Sequence, residues 1–94
     1  MSKMKWTTEV LEAAHKHSLY NHREILRSNN CGCFYCGAVF APSALNDDAD
    51  WTDDYAQERT ALCPECMIDS VLGDASGYPV TDEEFLEAMR EYWF

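Results

Sequence analysis

The chain has 94 residues, 47% of them hydrophobic, and 17 acidic against 7 basic side chains leave a formal net charge of −10. That length excludes a multidomain enzyme, and residues 1–94 are expected to form a single domain. No run approaches the ~18 apolar residues of a membrane span, and the charge opposes both an anionic membrane surface and nucleic acid while favouring a basic protein partner.

Residues 6–26 set Val10, Leu11, Ala14, Leu19, Ile25 and Leu26 at mixed three- and four-residue steps, which predicts a helix with an imperfect apolar face. Thr7 or Thr8 can cap it, and Ser18 and Asn21 mark where competing side-chain hydrogen bonds would split it in two. Asn29, Asn30 and Gly32 predict a turn, residues 34–40 a cysteine turn leading into a short strand, and residues 58–62 a second strand. Between them, Asp47, Asp48, Asp50, Asp53 and Asp54 surround Trp51 and Tyr55, the composition of a solvated loop tied down by aromatics. Pro64 and Gly73 bracket a predicted short helix over 67–72. After a turn-rich connector over 74–79, Thr81 and Glu84 have capping-box spacing, and Phe85, Leu86, Met89 and Trp93 predict a C-terminal helix. The expected class is α+β: a short β-hairpin with flanking N- and C-terminal helices.

Five cysteines stand in two clusters, Cys31, Cys33 and Cys36, then Cys63 and Cys66. No leading apolar stretch suits a signal peptide, so a reducing, cytoplasmic compartment is expected, where paired thiols chelate metal rather than form disulfides. Two cysteines separated by two residues direct both sulfurs at one ion, and two such pairs complete a tetrahedral shell. Cys33, Cys36, Cys63 and Cys66 are therefore the expected ligands of one Zn2+, although iron takes the same four sulfurs. Gly37 suits the left-handed turn behind the first pair, and Cys66 is expected on a first helical turn. Cys31, one residue from Cys33, falls outside this register as a buried small side chain or an accessory thiol. A filled four-thiolate shell leaves no position for a reactive water, so no hydrolysis is expected at that ion.

The remaining reactive side chains do not compose a catalytic set. His15, His17 and His22 lack the spacing of a helical zinc-hydrolase motif, Ser70 has no evident histidine base, and the aspartates do not follow a calcium-loop pattern. Phe34, Tyr35, Phe40 and Trp51 are expected to cover the metal unit, with Tyr78, Phe85, Met89, Tyr92 and Trp93 packing the last helix across it. An exposed Trp93 and Phe94 would instead form a contact patch.

The sequence around Cys33, Cys36 and Gly37, then Phe40, Pro42 and Ser43, then Thr60, Leu62, Cys63, Pro64 and Cys66 with Ile68 and Val71, resembles small bacterial cytoplasmic zinc-binding proteins with a treble-clef, HNH-like zinc-finger core. The resemblance spans residues 33–72 and implies a zinc protein whose second cysteine pair opens a helix. It carries over no activity, since HNH enzymes place a base histidine on the hairpin and residues 36–63 hold none. The expected function is a noncatalytic, zinc-stabilised protein-interaction or regulatory module; an HNH-derived metal-dependent nuclease and a thiol-based redox protein are the alternatives.

Overall fold

A computed structural model describes residues 6–47, 49–52 and 59–94. The first helix, α1 (Thr8–His15), starts where the Thr7 side chain accepts from the Val10 amide at 3.2 Å. It buries Leu11 and Ala14 and tightens into a 3-10 turn over Lys16–Ser18. Helix α2 (His22–Arg27) follows only after Tyr20 takes a φ of 50°, a left-handed conformation that no helix continues through. The split predicted at Ser18 and Asn21 is therefore real, with Tyr20 as its backbone cause.

Three short strands form an antiparallel sheet in the order β2 (Val39–Phe40), β1 (Cys31–Cys33), β3 (Val71–Gly73). Cys31 pairs with both Phe40 and Gly73, and Cys33 with Val71. Because side chains alternate across a strand, the sheet separates two cores. On one side Leu72 meets Leu11, Ala14, Phe34, Val80, Phe85, Leu86 and Met89. On the other, Cys31, Cys33 and Val71 meet Ile25, Leu45, Trp51, Ala61 and Cys63.

Gly32, predicted in a turn, is instead the middle residue of the central strand. A Cβ there would lie 2.0 Å from the Val80 carbonyl oxygen, so the backbone after the Asp74–Ser76 3-10 turn approaches β1 as only glycine permits. Asn29 and Asn30 do turn, held by their amides donating to the Asp74 carboxylate at 2.9 and 3.1 Å.

The helix expected over 67–72 is absent. Met67 takes a φ of 66°, which reverses the chain, and Val71 and Leu72 pair with β1 instead. The helix that the treble-clef resemblance implies after the second cysteine pair is thus replaced by a strand. The strand expected over 58–62 reduces, among the described residues, to one bridge between Trp51 and Ala61. Asp50 is buried rather than solvated, its carboxylate accepting from the Asn46 amide at 2.7 Å. Asp48, Asp53, Asp54 and Tyr55 lie outside the described residues.

Helix α3 (Glu83–Trp93) begins one residue later than a Thr81 cap implies, with the Asp82 carboxylate accepting from the Glu84 amide at 2.9 Å. It buries Phe85, Leu86 and Met89 and is clasped to α1 at its far end. There Trp93 Nε1 donates to the Leu11 carbonyl at 3.2 Å, its ring packs tilted against His15 with centroids 4.0 Å apart, and the Tyr92 hydroxyl donates to Glu12. No helix among the described residues is long and apolar enough to cross a membrane.

Candidate metal centre

The two cysteine pairs fold into the same local structure. In the first, the Cys33 amide donates to Ala38 O and the Gly37 amide to Cys33 O, both at 2.9 Å. In the second, the Cys63 amide donates to Ile68 O at 3.0 Å and the Met67 amide to Cys63 O at 2.8 Å. Amides two residues on, those of Tyr35 and Glu65, point at the Cys33 and Cys63 sulfurs at 3.4 and 3.3 Å. Each pair is thus a closed turn whose N–H groups face sulfur, an arrangement suited to thiolates. Both turns need a left-handed residue behind the second cysteine: Gly37, with a φ of 81°, and Met67.

Glycine takes that conformation without steric cost, whereas methionine pays ~1 kcal/mol or more for it. Met67 is half exposed and forfeits little packing if shortened. Met67→Gly is therefore expected to stabilise the metal-loaded protein by roughly 0.5–1 kcal/mol. Gly37→Ala, where the new Cβ meets nothing within 4 Å, is expected to destabilise it similarly through backbone strain alone. Denaturant midpoints at fixed metal concentration measure both; equal shifts of the same sign would refute the equivalence of the turns.

The turns face one another so that the Sγ atoms of Cys33, Cys36, Cys63 and Cys66 all lie within 4.8 Å of one another. Across the turns, Cys33 and Cys66 sulfurs are 3.7 Å apart and those of Cys36 and Cys63 3.6 Å apart. A tetrahedron with metal–sulfur bonds of ~2.3 Å has sulfur–sulfur edges of about 3.8 Å, so these spacings fit one such ion. Among the described residues this is the only group of three or more side chains so placed.

The surroundings are asymmetric. Cys33 and Cys63 are buried in the core beside the sheet, Cys66 is half-buried and Cys36 is exposed. Burial raises the Cys63 thiol and pushes Cys66 up to about 11. Burial acts in the same sense on Cys33, but hydrogen bonds from the Cys36 amide, the Ser70 hydroxyl and the Tyr35 amide outweigh it and hold that thiol below its ordinary value. Four sulfurs this close repel one another as anions, and a bound cation supplies the charge that lets them ionise together.

Ser70, which falls within the helix predicted over 67–72, is fully buried with its hydroxyl 3.0 Å from Cys33 Sγ. Only the strand pairing that follows the second turn turns it inward, and no motif signals that. Cys31 stays outside the cluster, fully buried against the opposite end of β1, its thiol pushed up to about 12 by burial and then by the charge of Asp74.

The histidines sit elsewhere. His15 packs tilted against Trp93, His17 pairs with Glu24 at 2.9 Å, and His22 packs edge-on against Trp51 with Nε2 3.3 Å from Arg59. Fold and cluster together define a small α+β domain whose four cysteines can hold a metal ion. Comparisons with protein-family profiles, with curated proteins and with solved structures find no match to this chain.

Proposed function

We propose that Cys33, Cys36, Cys63 and Cys66 hold one structural zinc ion, and that the chain is a noncatalytic protein-interaction or regulatory module of the cytoplasm whose partner is a basic protein. The convergence of four sulfurs within 4.8 Å of one another, with the two separations across the turns at 3.6 and 3.7 Å, carries this reading. Four thiolates satisfy zinc completely, so the ion serves to hold two turns together rather than to activate water. A net charge of −10 supports a cationic partner over a polyanion.

Elemental analysis of protein purified without added metal should find about one zinc per chain; iron in its place would change the metal and leave the ligands. Protein purified to homogeneity should bind basic proteins reproducibly and leave DNA and RNA intact with added divalent metal. Nucleolysis that disappears on substitution of a mapped residue would replace this reading with an enzymatic one.

A further inference from the structure

A groove of about 310 Å³ runs between the first cysteine turn and α3, lined by Tyr35, Gly37, Glu83, Leu86, Glu87 and Arg90 among others. It continues into a second hollow where Glu91 and Phe94 join Tyr35, Glu87 and Arg90. Its lining is mixed, and its apolar part includes Leu86, Tyr35 and Phe94. Leu86 is buried, and Tyr35 packs edge-on against Phe94 at 4.9 Å while Phe94 remains 62% exposed.

The rim is acidic. Glu83, Glu87 and Glu91 follow one another at four-residue steps along one side of α3, so they form a rail of carboxylates. All three are exposed, and none is ion-paired among the described residues. The one cation in the groove, Arg90, lays its guanidinium over the Tyr35 ring, 5.3 Å from its centroid. An aromatic face flanked by carboxylates, already covered by a guanidinium from the same chain, has the chemistry that receives arginine.

We infer that this groove docks an extended, arginine-bearing segment of a basic protein. One arginine of the segment displaces Arg90 from Tyr35, neighbouring cations pair with Glu83, Glu87 and Glu91, and apolar side chains rest on Phe94. Charge complementarity selects this occupant, since the carboxylate rail and the net charge both repel nucleic acid. The inference rests on the partner-binding reading above and gives it a surface and a ligand chemistry. Because one wall is the first cysteine turn, the metal also holds the groove in shape.

The test is fluorescence anisotropy of the metal-loaded chain with a short fluorescein-labelled peptide of arginine, leucine and glycine. Glu87→Gln with Glu91→Gln is expected to weaken binding about tenfold, while Glu9→Gln with Asp69→Asn, which removes the same formal charge at exposed positions outside the groove, changes it by less than about twofold. Arg90→Gln is expected to tighten binding about threefold or more, because it removes the competing guanidinium. Metal content and thermal midpoint of each variant separate misfolding from loss of the site.

Equal weakening by both acidic pairs, weaker binding by Arg90→Gln, or no saturable binding would overturn the proposal. Saturable binding indifferent to every groove variant would remove the groove and leave the partner-binding reading standing. Self-association that the peptide competes away would make the occupant a second copy and overturn the assignment to a basic partner.

Discussion

Stripping the metal with excess chelator is expected to unfold the protein, with loss of the near-ultraviolet dichroism of its buried aromatics and of most helical signal. Structural zinc contributes an apparent ~10–16 kcal/mol at neutral pH, comparable to or larger than the ~5–15 kcal/mol by which whole domains are stable. Here a bound ion would join two turns that both feed the core on one side of the sheet. Cys33→Ala and Cys63→Ala are expected to lose the ion and fold poorly. Cys31→Ala is expected to keep near-full occupancy and to cost only about 1 kcal/mol, the loss of one small buried group. Acidification should release the metal, because protons compete for the sulfurs and occupancy falls as pH falls. A well-ordered metal-free protein, or occupancy that depends on Cys31 rather than Cys33, would refute the ligand assignment.

The second large effect is expected at Asn21. Its side chain is buried where three segments meet: the amide donates to the His17 and Val71 carbonyls at 2.9 Å each, and its oxygen accepts from the Ala61 amide at 3.0 Å. Leucine fills similar volume but offers no hydrogen bond, which leaves these backbone groups unpartnered at ~1–3 kcal/mol each. Asn21→Leu should therefore cost about 3–5 kcal/mol in equilibrium denaturation of the metal-loaded protein. Asn29→Ala, at an exposed position, should stay within about 0.5 kcal/mol. A loss below 1 kcal/mol at Asn21 would show that water or chain movement satisfies those groups.

Local chemistry made much of this structure legible in advance. The Thr7 cap, the break after Ser18, the left-handed Gly37 and the spacing of Phe85, Leu86 and Met89 each follow from a few neighbouring residues, and each is found. The convergence of the four cysteines was likewise readable, because two identical chelating pairs have few other ways to satisfy one ion.

Misreadings arose where distant backbone decides. Val71 and Leu72 carry no alternation because β3 is buried on both faces, so a run between Pro64 and Gly73 looks as much like a helix as a strand. Met67 hides a glycine-like turn behind a side chain that rarely adopts one. Gly32 looks like a breaker until Val80, forty-eight positions along the chain, is found pressed against it. Asn21 resembles a local cap, yet two of its three partners come from the second cysteine region.

The two cores on either side of the sheet draw on different stretches of the chain. Every buried residue of the core that holds Cys33 and Cys63 lies at or before Val71, and all four candidate ligands precede it. The other core also draws on Val80, Phe85, Leu86 and Met89, without which only Phe34 and Leu72 of its buried residues remain to cover the apolar face of α1. Of the eight buried residues on the α1 side, the four that follow β3 would be lost to a premature stop after Gly73, whereas the cysteine side would keep all of its buried residues and all four candidate ligands. Damage to the last helix would therefore reach the candidate ligands only through the shared sheet.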